Sequence, residues 1–137
     1  MDMLFPEGLD PQVMRELNEC VSLADGLSVD ALRDMARKHV KTTREAHLLN
    51  RLLDVSLAEA LLVAIEAVFA SWDRVPSHAR PWCRAMVQYF VSSNSGENHD
   101  FASCVGFDDD AAVINACLRM AGREDLLVDP EAVSDGL

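Results

Sequence analysis

Apolar residues recur every three or four positions along most of this chain, the period of an α-helix with one buried face. The first such stretch is LDPQVMRELNECVSLADG, with Asp10 at the expected N-cap, Pro11 at the first helical position and Gly26 at the end. A second helix is predicted to begin at residue 28 or 30 and to run toward residue 53. Its inward stripe is predicted to consist of Leu32, Ala36, Val40, Thr43 and His47.

Three further helices are predicted. The segment DVSLAEALLVAIEAVFASWDR is apolar nearly all round, so we expect this third helix to lie at the centre of the bundle. Ser56 and Glu59 near its start have the spacing of a capping box. A fourth helix is predicted over residues 77–91, and a fifth over residues 108–121, ended by Gly122.

A polar segment, SSNSGENHD, separates the fourth and fifth helices, and its Ser, Asn and Gly residues favour a loop. Since 137 residues fit one domain and no strand alternation is present, the chain is predicted to be all-α: a single-domain bundle of about five helices over residues 1–137, with a long acidic loop before the last helix. Residues 123–137 are predicted to form a partly ordered tail in which the apolar residues pack locally: Leu126, Leu127 and Val128.

Charge is unevenly distributed along the chain, whose net charge is −11. Ten acids and only two bases lie in residues 94–137, whereas residues 33–51 hold six of the twelve bases. A nucleic-acid partner is disfavoured because phosphate binding needs an excess of positive charge. Membrane insertion is disfavoured too, because the longest apolar stretch is short and contains Glu59 and Glu66.

The cysteines, Cys20, Cys83, Cys104 and Cys117, lack the paired spacing of a zinc site. The first residues, MDMLFPEGLDP, have acids where a secretory signal has a basic region. Together these features predict a cytoplasmic protein with reduced, partly buried thiols.

The three consecutive aspartates Asp108, Asp109 and Asp110 allow two interpretations. In the first they begin the fifth helix, since carboxylates near a helix N-terminus interact favourably with its unpaired N–H groups. In the second they hold a divalent metal together with Asp100, although the spacing of a calcium-binding loop is absent.

A stripe of bases on the second helix, here called the α2 stripe, consists of Arg33, Arg37, Lys41 and Arg44. One interpretation is a solvated face that pairs with nearby acids. The other is a surface that binds a charged protein partner, or a second copy of the chain head to tail. Glu66 likewise belongs either to a solvated stripe with Glu59 and Asp73, or is a buried carboxylate paired with an arginine such as Arg84.

Three short motifs in the C-terminal half resemble a known family. They are YFVS at residues 89–92, DF at residues 100–101 and GFDDDAAVI at residues 106–114. Over residues 75–122 the chain resembles the YkvA-like family, small bacterial helical proteins grouped under a domain of unknown function. The family's Ser-Pro-x-Asp motif is replaced here by SSNSGENHD. The resemblance implies a helical fold and brings no activity with it.

The sequence contains no nucleophile-elbow motif, glycine-rich phosphate loop or evident Cys–His arrangement, so no catalytic residue is predicted. His39 and His47 lie two turns apart, and a histidine facing the core is the expected arrangement rather than a metal ligand. The function predicted is a non-catalytic interaction, regulatory or inhibitor module that acts through charged helical faces on a protein partner or itself. The alternative is a metal-binding protein or metal-dependent enzyme that uses the aspartate-rich loop.

Overall fold

A computed structural model describes residues 6, 8–47, 55–93 and 108–129. Within these ranges the regular structure is helical and contains no strand, which confirms the predicted all-α bundle. The α-helices are α1 (Pro11–Ala24), α2 (Val29–His47), α3 (Val55–Ala70), α4 (Arg80–Ser93) and α5 (Asp108–Met120). Single 3₁₀ turns follow α3 at Trp72–Arg74 and α5 at Glu124–Leu126. Most of the predicted acidic loop, residues 94–107, and the end of the tail, residues 130–137, lie outside the described ranges.

The helix ends follow the local signals of the sequence. Asp10 occupies the N-cap of α1, but its side chain makes no capping hydrogen bond; instead its carbonyl accepts from the Met14 N–H at 2.8 Å. Ser28 caps α2, because its Oγ accepts a hydrogen bond from the Ala31 N–H at 3.1 Å. Gly122 takes a φ of +74° after α5, which lets the Arg123 N–H bond back to the Leu118 carbonyl at 2.9 Å.

Helix α4 lies at the centre of the described bundle. It packs against α1, α2 and α5, and buries side chains on almost every side: Cys83, Ala85, Met86, Val87, Tyr89 and Phe90. The expectation that α3 is central is wrong, since α3 packs mainly against α2 and leaves Val63 67% exposed. An apolar composition shows that a helix tolerates burial, but the number of neighbouring helices decides how much of it is covered.

Helix α2 lies between α3 and α4 and buries the stripe predicted for it. Leu32, Ala36, Val40 and Thr43 are completely buried, whereas the side chain of His47 lies outside the described part. The Thr43 hydroxyl donates to the His39 carbonyl at 2.9 Å, so this polar side chain is satisfied within its own helix. Within the described ranges, none of the helices combines the length and the apolar content that crossing a bilayer would need.

His39 of α2 faces the core. Its ring is 8% exposed and meets Phe90 of α4 edge to face, with 4.9 Å between ring centroids. Burial lowers the pKa of His39 to about 4, because the imidazolium would lose its hydration there. The neutral ring is therefore part of the α2–α4 contact.

The tail after α5 is fixed by Asn115. Its Nδ2 donates to the Val128 carbonyl at 2.7 Å, and its Oδ1 accepts from the Val128 N–H at 2.8 Å. Leu126 and Val128 pack against the core, while Leu127 remains 37% exposed. The Asn115 amide thus holds the backbone of Val128 against the bundle.

The depressed pKa of His39 predicts that acid weakens the fold. The unfolded chain takes up a proton on this ring near its ordinary pKa, whereas the folded chain resists protonation down to about pH 4. The free energy of unfolding should therefore fall by about 3 kcal/mol from this group alone as the pH drops through that interval.

Urea unfolding of the wild type and of His39→Met, measured between about pH 4.5 and about pH 7.5, isolates this contribution from that of the carboxylates. The same substitution at His78, which is exposed, is the matched control and should leave the wild-type pH dependence unchanged. Equal slopes for the wild type and His39→Met would show that His39 is not the group responsible.

Candidate functional site

The α2 stripe faces a row of acids on α3. Arg37 donates from Nε to Glu66 Oε1 at 2.8 Å, and its Nη2 also donates to that oxygen. Two turns further along α2, Arg44 donates from Nε to Glu59 Oε2 at 2.6 Å. The residue numbers rise on α2 as they fall on α3, so the two helices are antiparallel. Because both arginines and both glutamates are seven residues apart, the two ion pairs lie on one shared face.

Arg33 is only partly neutralised by this row of acids. Its Nη2 lies 3.7 Å from Glu66 Oε1, which is beyond hydrogen-bond distance, and Arg37 already binds the same oxygen. The Arg33 Nε is buried and has no hydrogen-bond acceptor. One carboxylate is thus shared by two guanidinium groups, and one buried donor is left unsatisfied.

Lys41 is the cation of the stripe with no acid opposite it. It is exposed and forms no ion pair with a residue in the described ranges. The antiparallel register that joins Arg37 to Glu66 and Arg44 to Glu59 brings Leu62, rather than an acid, to the level of Lys41. Arg37 and Arg44 are therefore hydrogen-bonded to glutamates of α3. Arg33 and Lys41 keep N–H donors that no described residue accepts.

Glu66 does not adopt the buried arrangement with Arg84 that was one expectation for it. Its side chain is 31% exposed and is bound by α2, while the Arg84 guanidinium lies over the Trp72 ring, 5.6 Å from the centroid. The solvated-stripe interpretation of Glu59 and Glu66 is the one that agrees with the structure. The sequence signal for this pairing was the equal spacing of seven residues between the two arginines of α2 and between the two glutamates of α3.

The aspartate triplet forms the first turn of α5, which begins at Asp108. This position confirms that the triplet begins a helix, where carboxylates interact favourably with the free N–H groups. Asp110 is completely buried, whereas the side chains of Asp108 and Asp109, and all of Asp100, lie outside the described part. Among the described residues no three His, Cys, Asp or Glu side chains converge as metal ligands. The divalent-metal site therefore stays a prediction.

The described cysteines are free, buried thiols in unreactive surroundings. Cys117 Sγ donates to the Trp82 carbonyl at 3.4 Å, across the α4–α5 contact. Burial raises the pKa of Cys83 to about 12 and that of Cys117 well above its ordinary value, with a further rise from the neighbouring Cys83. Burial, together with Glu19 and Glu16, raises the pKa of Cys20 to about 11. Because the thiolate is the nucleophile, these groups are suited to packing rather than to catalysis.

Comparisons of the chain with protein-family models, with curated proteins and with solved structures find no match. The resemblance of residues 75–122 to the YkvA-like family therefore stays a prediction. Of the residues that carry it, Tyr89 and Phe90 are buried in α4, and Asp110 is buried in α5. The DF motif at residues 100–101 lies outside the described ranges.

The ion pair between Arg44 and Glu59 predicts a charge-swap result. Each single reversal, Arg44→Glu or Glu59→Arg, places like charges opposite each other and should lower the free energy of unfolding by roughly 0.5–1 kcal/mol, as expected for partly exposed pairs. The double variant restores opposite charges and should recover most of that loss. Urea unfolding of all four proteins at low and high salt measures the coupling, which salt should weaken. Additive losses in the double variant would contradict the antiparallel register.

Proposed function

We propose that this protein is a non-catalytic interaction module, regulatory or inhibitory in role, whose α2 stripe binds carboxylates on a protein partner. The observation that carries the proposal is the incomplete neutralisation of the stripe within the fold. Glu66 serves two guanidiniums and, among the described residues, the Arg33 Nε has no acceptor and Lys41 has no acid opposite it. The Arg33 side chain is 29% exposed and Lys41 is exposed, so both can donate charge-assisted hydrogen bonds to carboxylates of a partner.

The paired arginines support binding as well. Arg37 and Arg44 keep 49% and 53% of their side chains exposed, so both remain accessible while held in fixed positions by α3. Fixing these side chains in advance lowers the conformational entropy that binding would otherwise cost. The partner surface that fits is a row of carboxylates with helical spacing.

The negative net charge of the chain does not prevent an acidic partner from binding at physiological ionic strength. At about 0.15 M ionic strength the screening length is about 8 Å, so a carboxylate at the stripe interacts mainly with the stripe itself. A second copy of the chain supplies an acid-rich segment, because residues 94–137 hold ten acids and two bases. Head-to-tail self-association is therefore the simplest form that this interaction takes.

The test uses a fluorescent oligoglutamate peptide as the acidic probe, with binding followed by anisotropy at about 0.15 M salt. The double variant Arg33→Gln, Lys41→Gln should weaken binding about tenfold, since each exposed charge pair contributes up to about 1 kcal/mol. Arg15→Gln with Lys38→Gln is the matched control: it removes the same charge from exposed positions outside the stripe and should change the Kd little.

Sedimentation velocity of the wild type and both double variants measures self-association in parallel. If self-association weakens only in the Arg33→Gln, Lys41→Gln variant, a second copy of the chain is an acidic partner of the stripe. Equal Kd values for peptide binding in the stripe and control variants would contradict the proposal, as would the absence of wild-type binding to the peptide at millimolar concentration.

A further inference from the structure

A second group of arginines surrounds Trp72, where the chain passes from α3 to α4. Arg80 and Arg84, one turn apart at the start of α4, place their guanidinium carbons 5.7 Å and 5.6 Å from the centroid of the Trp72 ring. Phe69 packs against the same ring at 5.0 Å between centroids, which fixes the indole in place. Two cations therefore share one aromatic ring.

Two arginines of this region have protein acceptors that explain their positions. Arg80 donates from Nε to the Val75 carbonyl at 3.1 Å and from Nη2 to the Trp72 carbonyl at 3.4 Å. Arg123 donates to the Ser71 hydroxyl at 2.6 Å and binds both carboxylate oxygens of Asp125 at 3.1 Å and 3.0 Å. Both side chains thus hold the turn that follows α3.

Arg84 differs from these two arginines. Its Nε is buried and has no hydrogen-bond acceptor, and neither Arg80 nor Arg84 forms an ion pair within the described part of the chain. Both arginines also lie near the N-terminus of α4, where the helix dipole adds positive potential. Two guanidiniums and a helix N-terminus are thus brought together, and neither guanidinium is ion-paired with a described carboxylate.

We propose that Arg84, with Arg80 and Trp72, binds the oxyanion of a small molecule, a phosphate or a carboxylate group. A guanidinium presents parallel N–H donors that match two oxygens of such a group, and in Arg84 the terminal Nη groups would be those donors, since the Nε is buried. The cation–π contact with Trp72 holds the Arg84 guanidinium beside the ring. Arg80 contributes charge while its Nε and Nη2 stay bonded to the turn. This site shares no residue with the α2 stripe, so either proposal stands or fails without the other.

The test follows Trp72 fluorescence in a Trp82→Phe background, in which Trp72 is the sole tryptophan. The protein is titrated with inorganic phosphate, with succinate and with sodium chloride at matched ionic strength. We expect a saturable change with phosphate, with succinate or with both, at millimolar concentration or below. A response to phosphate alone identifies a phosphate ligand, and a response to succinate identifies a carboxylate.

Arg84→Met should abolish the saturable change, and Arg84→Lys, which keeps the charge but loses the planar donors, should weaken it at least tenfold. Arg119→Met removes an exposed arginine of α5 and is the matched control, which should respond to the titration like the Trp82→Phe protein itself. The indole and arginine Nε–H signals of the ¹⁵N-labelled wild type give the same titration without any substitution. No saturable response beyond chloride in the parent, or an equal response in folded Arg84→Lys, would overturn the proposal.

Discussion

The burial of α4 on three sides is the constraint on which the rest of this structure depends. Helices α1, α2 and α5 all pack on α4, and each large side chain buried there contributes about 1.5–3 kcal/mol of hydrophobic free energy. Helix α2 buries its apolar stripe between α3 and α4, and the bases on its neighbouring face meet the acids of α3 and solvent. The same geometry places the first turns of α4, with Arg80 and Arg84, beside the end of α3. Both proposed binding surfaces are consequences of this one packing arrangement.

The charged face between α2 and α3 shows how a fold can leave polar groups incompletely satisfied. Two arginine–glutamate pairs repeat at the seven-residue spacing of antiparallel helices, but Arg33 and Lys41 lie outside that repeat. Partly exposed ion pairs of this kind contribute little to folding stability, so they do not account for the number of bases collected on one helix. In the proposed function these bases bind carboxylates of an acidic partner, and opposite charges on the two surfaces would give that binding its specificity.

Helix positions were largely predictable from the sequence, because capping residues, a proline and glycines mark the ends locally: Asp10, Pro11, Gly26 and Gly122. The buried stripe of α2 followed from its periodicity in the same way. The identity of the central helix was not predictable from composition, since α3 is the more apolar helix and yet has fewer neighbours than α4. The Arg37–Glu66 and Arg44–Glu59 pairs were present in the sequence as two matching spacings. By contrast, the contact of Arg84 with Trp72 and the contact of Asn115 with Val128 depend on turns whose direction no local sequence pattern specifies.

The arginine Nε–H region of the NMR spectrum, recorded for the wild type and for Glu66→Gln, shows which arginine Glu66 binds. Arg37 donates its Nε–H to Glu66, whereas the Nε–H of Arg33 has no acceptor. The substitution should move the Arg37 signal strongly and speed its exchange with water, while the Arg33 signal should change little. A large shift of the Arg33 signal, with Arg37 unaffected, would show that Glu66 satisfies Arg33 instead, and the basis for the proposed binding surface would be lost.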